Sequence, residues 1–245
     1  GATAVQEVAF ALAAAISVLD SVKEKIEDQN IDVDFDKVVS RISFFVNGSI
    51  RFIEELCKLK AFGRLWSDLV HERYGVTSDA ARRFRYGVQV NSLGLTEKQP
   101  ENNVQRIVLE MLGVTLAKDS RARAIQLPAW NEALGLPRPW DQQWSLRIQQ
   151  VLALESDLLE YEDIFEGSTV IEAKVGELIS EIETELDRII EMGGAIAALE
   201  SGYLKSVLVA SHAQRRSKIE SVELAVVGVN IHQSTEPSPL TQSTN

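Results

Sequence analysis

The sequence has few of the residues that form several common kinds of site. It contains one cysteine and three histidines among 245 residues, which excludes an internal disulfide framework and a cysteine-cluster metal site. The histidines, His71, His212 and His232, lie far apart, and none has the spacing of a metal ligand. No glycines have phosphate-loop spacing, and no Ser-His-Asp set can be assembled. The sequence therefore predicts no metal site and leaves the catalytic residues unknown.

Positive charge is also scarce, since 25 Lys and Arg stand against 36 Asp and Glu, giving a net charge of -11. This balance argues against a nucleic-acid partner, which requires cations that neutralise phosphates. The apolar run "VAFALAAAISVL" is shorter than the roughly 20 residues that span a bilayer, so we expect no membrane association. Cys57 follows Ile53 at helical spacing, which predicts a packed apolar side chain and fits a cytoplasmic protein.

Helical and strand patterns alternate along the chain, which predicts an α/β fold. Three strand–loop–helix repeats predict a parallel sheet with helices on both faces and exposed edges, which a partner segment would cover. Asn47-Gly48 reads as a turn after the first strand. The predicted helices cover residues 4–28, 50–74, 102–118, 139–156, 169–192 and 203–221, and the predicted strands lie in "SRISFFVNG", "RFRYGVQVNSLG", "RARAIQL" and "LAVVGVN".

The loop "LPAWNEALGLPRPW", residues 127–140, is built from residues typical of a core. Trp130, Pro137 and Trp140 would be costly to expose, so we expect a large flat ligand or a neighbouring segment to cover them. Glu132 has two interpretations. It accepts hydrogen bonds from ligand hydroxyls, or it caps the following helical turn.

Several blocks of the sequence resemble adenosylcobalamin-dependent acyl-CoA mutases, the methylmalonyl-CoA mutase family. In chain order they are "GATAVQEVAFALA", "RISFFVNG", "GVQVNSLGLTEKQPENNVQRI", "QLPAWNEALGLPRPWDQQW", "EMGGAIAALE" and "VVGVN". Two of them, "QVNSLGLTEKQPENN" within the third block and "QLPAWNEALGLPRPWDQQW", are most similar to the ethylmalonyl-CoA mutase branch, as is the linker-like "TEPSPL".

The resemblance implies the last three βα units of a TIM-type (β/α)8 barrel, a partial barrel, followed by a helical C-terminal segment. It divides the chain into barrel units over residues 1–156, a helical extension ending in a short strand over 157–230, and a linker or disordered tail over 231–245. The implied partners are acyl-CoA, the missing barrel half and a cobalamin-binding domain, within a homodimer. The implied cofactor is adenosylcobalamin, whose lower cobalt ligand is not in this chain.

The resemblance also implies substrate-binding roles. Arg41 and Ser43 match an arginine and a serine that contact acyl-CoA; the alternative is a strand-end ion pair and a turn hydroxyl. Gln89 matches a glutamine that hydrogen-bonds near the thioester. Gly87 stands where methylmalonyl enzymes have a histidine, and the lost ring volume predicts a bulkier acyl group.

Cofactor contact is implied for Ser92, Glu132 and Gly135. We expect Arg41, Gln89 and Glu132 to point into one shared cavity mouth. The implied reaction is a radical carbon-skeleton isomerisation, from ethylmalonyl-CoA to methylsuccinyl-CoA. The alternatives are methylmalonyl-CoA or another short-chain acyl-CoA as substrate, or a non-catalytic remnant or assembly subunit. We expect the isolated chain to be inactive.

Overall fold

The computed structural model describes residues 2–238. The six predicted helices are present in this range, the first with the predicted bounds, and three shorter helices were not predicted. The helices are α1 (Ala4–Asp28), α2 (Phe35–Val39), α3 (Phe52–Tyr74), α4 (Asp79–Arg82), α5 (Asn103–Thr115), α6 (Pro139–Leu154), α7 (Thr169–Glu191), α8 (Gly194–Glu200) and α9 (Tyr203–Glu220), and the strands are β1 (Phe44–Gly48), β2 (Tyr86–Val90) and β3 (Ala124–Gln126).

The strands form one parallel sheet in the order β1-β2-β3, as the strand–helix alternation predicts. Asn47 and Gly48 are the last residues of β1 and pair with Gln89 and Val90, so the predicted turn is wrong at this position. The loop that leads into α3 begins only at Ser49, because the ladder to β2 continues through Gly48.

Helix α1 begins at a capping box, in which the Thr3 hydroxyl accepts from the Gln6 backbone and the Gln6 side chain accepts from the Thr3 backbone. Helix α1 as a whole is long and apolar enough to cross a membrane, although the run "VAFALAAAISVL" within it is too short to do so by itself. Its apolar stripe, however, is buried against α3, α7 and α8, as in the core helix of a soluble protein.

Among residues 2–238, helices cover one face of the sheet only, which corrects the prediction of cover on both faces. Val46, Tyr86 and Val88 point into the main core, where α3 packs on the sheet and Cys57 is buried as expected. The opposite face carries Phe45, which is 66% exposed. A bare sheet face next to two open edges is the surface that a further segment would cover.

The C-terminal part is helical, with α7 packed on α1 and α3. Residues 224–230, predicted as a last strand, form turns and a single isolated bridge between Val227 and Ile231, so this prediction is wrong. The Arg106 guanidinium donates to the Val227 carbonyl at 2.9 Å and ties these turns to α5. Of the predicted tail, residues 239–245 lie outside the described residues.

Candidate functional site

The predicted site residues lie at both ends of the sheet rather than at one cavity mouth. Arg41 and Ser43 precede β1, at the amino end of the parallel strands, whereas Glu132 follows β3 beyond their carboxyl end. Gln89 lies between them, in β2. The expectation of a shared cavity mouth is therefore wrong, because Arg41 lies before the start of β1 and Glu132 lies after the end of β3, at opposite ends of the sheet.

Two rows of side chains cross the bare face, since residues two apart in a strand point to the same side. In the row nearer the amino end, Phe45 pairs with Gly87, and Gly87 with Ala124. The next row contains three carboxamides, because Asn47 pairs with Gln89, and Gln89 with Gln126. We call this second set the carboxamide row; it is the polar part of the face.

The space beside Gly87 is partly filled by the Phe45 ring. A Cβ atom placed on Gly87 would lie 3.1 Å from Phe45 Cδ2 and 3.3 Å from Cε2. Glycine thus permits the Phe45 ring to lie close to β2. A side chain at position 87 would overlap the space that the Phe45 ring occupies, which the sequence alone did not indicate.

The predicted substrate-contacting residues make few bonds of their own. The Ser43 hydroxyl donates to the Arg85 carbonyl at 3.4 Å, in the segment that leads into β2, so Ser43 is not the turn hydroxyl predicted as its alternative role. Arg41 is exposed and forms no ion pair among residues 2–238, so the strand-end ion pair predicted as its alternative is not formed. Gln89 Nε2 donates to the Val90 carbonyl at 3.1 Å, which leaves its side-chain oxygen unpaired within the described range.

The loop after β3 is built around Asp141, which is fully buried in the first turn of α6. Its carboxylate accepts from Trp130 Nε1 and Asn131 Nδ2, both at 2.9 Å, and from the Arg138 backbone at 2.8 Å. Burial alone would raise the pKa of Asp141, but the hydrogen bonds from Arg138, Trp130 and Asn131 outweigh it and hold the pKa below its ordinary value. Asp141, rather than Glu132, is the capping carboxylate.

The tryptophans of this loop are covered unequally. Trp130 is 2% exposed and packs in a second core cluster with Val90, Ile107 and Met111, so the chain itself covers it. Trp140 is 45% exposed, and the Arg138 guanidinium lies 4.4 Å from its ring centroid. The expectation that something covers the aromatic surface therefore still applies to Trp140.

The loops at the carboxyl end present exposed groups. Glu132 is exposed, and its carboxylate makes no hydrogen bond within residues 2–238. Gly135 has φ +133, no atom lies within 4 Å of the position that a Cβ would occupy there, and Leu136 beside it is 97% exposed. Ser92 begins a short 3-10 turn after β2 and is half-buried. Glu132, Gly135 and Leu136 thus lie open to solvent at this edge.

Sequence reasoning missed a buried ionic network beneath the end of β1. Lys58, 1% exposed, donates to Glu7 Oε2 at 2.6 Å and to the Asn47 carbonyl at 2.7 Å, and also contacts Glu55. Burial opposes the charged form, but attraction by Glu55 and Glu7 outweighs it and holds the pKa of the Lys58 ammonium above its ordinary value. Glu7 Oε1 in turn accepts from the Asn47 backbone at 2.7 Å and from Asn47 Nδ2 at 2.9 Å. The only sequence signal for this network was that Lys58 falls within the apolar stripe of the helix predicted over residues 50–74.

Another buried acid, Glu110 of α5, lies near the loop after β2. Its side chain is 1% exposed, and its Oε2 atom has no hydrogen-bond partner among the described residues. Burial raises the pKa of Glu110 to about 8, repulsion by Glu55 adds to the shift, and Arg106 opposes it. Glu110 is therefore mostly protonated at neutral pH.

Comparison with known proteins identifies one matching family and several related sequences. The sequence profile described as methylmalonyl-CoA mutase matches residues 1–244. Ethylmalonyl-CoA mutase of Methylorubrum extorquens is 63% identical over 242 residues, which cover 98% of this chain and 35% of that protein. Ethylmalonyl-CoA mutase of Cereibacter sphaeroides is 59% identical over 241 residues, covering 98% and 36%. Methylmalonyl-CoA mutase of Escherichia coli is 30% identical over 230 residues, covering 94% and 31%.

The chain thus spans about a third of the length of these curated relatives. The profile match extends over both the sheet with its bare face and the helical C-terminal part. The identity is about twice as high to the two ethylmalonyl-CoA mutases as to the Escherichia coli methylmalonyl-CoA mutase. On these grounds the chain belongs to the methylmalonyl-CoA mutase family, in its ethylmalonyl-CoA mutase branch.

Proposed function

We propose that this chain forms three consecutive units of a (β/α)8 acyl-CoA mutase barrel whose remaining strands close over its bare sheet face. The observation that carries the proposal is the bare face itself, with its register-aligned carboxamides. In a closed barrel, inward-pointing residues of adjacent strands form layers across the interior. A polar layer among them fits an enclosed polar ligand better than a packed hydrophobic core.

The proposed reaction is the isomerisation of ethylmalonyl-CoA to methylsuccinyl-CoA. High identity to two ethylmalonyl-CoA mutases supports this substrate. An acyl-CoA lying along the barrel axis would pass Arg41 and Ser43 at the amino end and reach Gln89 with its thioester. Arg41 then offers an unpaired cation to the anionic part of CoA, and Gln89 offers a side-chain carboxamide. This axial path explains why these residues lie at different heights along the sheet.

Adenosylcobalamin is the proposed cofactor, and the exposed carboxyl-end groups fit it. The unpaired Glu132 carboxylate can accept hydrogen bonds from ribose hydroxyls, Gly135 permits close approach to its backbone, and Ser92 adds a hydroxyl at the same edge. When bound, the cofactor supplies the radical chemistry that rearranges the carbon skeleton. The chain's own residues bind and orient the acyl-CoA and exclude water from it. A homodimer with cobalamin-binding domains is also part of the proposal.

A chimera tests the proposed function. Residues 2–238 replace the matching segment of the Methylorubrum extorquens ethylmalonyl-CoA mutase, and products from ethylmalonyl-CoA are measured by mass spectrometry with adenosylcobalamin present. We expect methylsuccinyl-CoA at a rate within about 10-fold of the parent, an activation difference of about 1.4 kcal/mol. A folded, cobalamin-binding chimera that forms no methylsuccinyl-CoA would refute the proposal.

Substrate choice is tested at Gly87 in the same chimera. Gly87→His should lower kcat/KM for ethylmalonyl-CoA relative to methylmalonyl-CoA by about 10-fold or more, the usual effect of one methylene in a filled pocket. Because the new side chain contacts the Phe45 ring, Phe45→Ala in the same protein should restore part of the ethylmalonyl-CoA preference. An unchanged preference in Gly87→His would refute the pocket explanation.

A further inference from the structure

Asn47 is held by a rigid polar network, which gives its side chain one orientation. The Glu7 carboxylate can only accept hydrogen bonds, so Asn47 must direct its amide nitrogen, and not its oxygen, toward Glu7. The observed bond joins Asn47 Nδ2 to Glu7 Oε1 at 2.9 Å. Glu7 itself is fixed by Lys58, which also binds the Asn47 backbone carbonyl.

This orientation leaves the Asn47 Oδ1 atom free. Within residues 2–238 that oxygen has no hydrogen-bond partner, and the residue is exposed on the bare face. Asn47 therefore presents an acceptor, and its natural complement is a ligand N–H group. The network that produces this arrangement buries two charged side chains, Glu55 and Lys58, and half-buries a third, Glu7. Burying charges costs free energy, and a ligand contact at the exposed Asn47 carboxamide would account for that cost.

The spacing of neighbouring strands matches the position of one N–H donor in an acyl-CoA. Asn47 pairs with Gln89, the proposed thioester contact, and adjacent strands lie about 4.8 Å apart. In acyl-CoA, two methylene groups separate the thioester sulfur from the first amide N–H of the pantetheine arm, a span of about 4 Å at ordinary bond lengths. A substrate whose thioester reaches Gln89 can thus bring this N–H to Asn47.

We propose that Asn47 is a substrate-binding residue whose side-chain oxygen accepts a hydrogen bond from the pantetheine amide N–H nearest the thioester. Glu7 and Lys58 are positioning residues that act through Asn47. The inference rests on the proposed function, because it takes the substrate to be an acyl-CoA.

Two ligands separate this contact from a general structural effect. The first is ethylmalonyl-CoA, and the second is its analogue with an ester oxygen in place of that amide N–H. Affinities are measured by calorimetry in the chimera described above. Asn47→Ala should weaken ethylmalonyl-CoA binding about 10-fold, the usual loss for one hydrogen bond, and should leave analogue binding unchanged. Glu7→Gln should show the same ligand dependence with a smaller loss.

The control variant is Gln142→Ala, which removes an exposed carboxamide from α6 and should change neither affinity. Equal weakening of both ligands by Asn47→Ala, or weakening of neither, would overturn the inference. Because binding is measured separately from turnover, a chimera that binds ethylmalonyl-CoA but does not convert it would refute the proposed function alone.

Discussion

The protonated acid Glu110 makes the stability of the protein depend on pH, and Glu110→Gln tests this. The side chain is buried, its Oε2 atom has no partner in the described part of the chain, and burial raises its pKa to about 8. Glutamine has nearly the same shape as the protonated acid but does not ionise. The substitution therefore removes the titration while leaving the packing around Glu110 almost unchanged.

The sign follows from proton binding in the two states. In the unfolded chain the carboxyl titrates near its ordinary pKa of 4.5, whereas the folded protein keeps the proton up to about pH 8. Between these values the folded state binds more protons, so this group's contribution to stability is complete below pH 4.5 and is lost as the pH rises toward 8. At about 1.4 kcal/mol per pKa unit, the loss between pH 5 and pH 8 is roughly 3 kcal/mol.

Urea unfolding at pH 5, 6, 7 and 8, followed by tryptophan fluorescence, measures this loss. Relative to Glu110→Gln, the unsubstituted protein should lose roughly 3 kcal/mol of unfolding free energy across the series. Glu155→Gln, at an exposed position, should follow the unsubstituted protein. Parallel pH profiles for the protein and Glu110→Gln would show that Glu110 is ionised when folded and that the reasoning is wrong.

Three further substitutions have effects that urea unfolding can measure. Gly113→Ala places a Cβ 2.8 Å from the Phe52 carbonyl oxygen and should lower the free energy of unfolding by about 1–3 kcal/mol. Its control is Gly176→Ala, which has open space around it and should stabilise α7 by up to about 1 kcal/mol. Equal effects of the two substitutions would contradict the close approach of α5 to α3. Lys58→Met leaves the buried Glu55 and the half-buried Glu7 carboxylates without their cation and should cost about 3–5 kcal/mol at pH 7; an unchanged midpoint would contradict the network. Asp141→Asn removes the anionic acceptor of the loop after β3 and should cost about 1–3 kcal/mol, with a change in tryptophan fluorescence that a purely local effect at the surface would not produce.

The helices were predictable because their pattern is local. The apolar stripe of α1 predicts the helix over residues 4–28, and the glycine pair at 193–194 marks the end of α7. The strand pattern over residues 224–230 was misleading, since apolar residues there turn back on α5 instead of extending a sheet. A short apolar run does not by itself specify a pairing partner.

The site was only partly predictable for a related reason. Parallel strands predict where the loops after β2 and β3 meet, and the position of Arg41 near the start of "SRISFFVNG" already places it at the amino end of β1, away from those loops. The contact of Glu7 with Asn47 joins residues 40 positions apart, and nothing in either segment alone indicates it. Asp141 and Trp130 are 11 positions apart, but their hydrogen bond depends on how the loop between them folds. Pairing of Phe45 with Gly87 likewise depends on register.

Protection of the bare face by substrate is the most direct test of its role as the wall of an acyl-CoA channel. In the chimera, Gln126→Cys is alkylated with iodoacetamide, and the modified peptide is quantified by mass spectrometry. The native Cys57 should not react, because it is buried and burial raises the pKa of its thiol. Ethylmalonyl-CoA should slow alkylation at position 126 by at least about 10-fold, because only protein without bound substrate reacts and more than about nine tenths of the protein has substrate bound. It should leave Leu146→Cys, on the outer helix α6, unaffected. Equal alkylation at position 126 with and without a saturating concentration of ethylmalonyl-CoA would contradict the account.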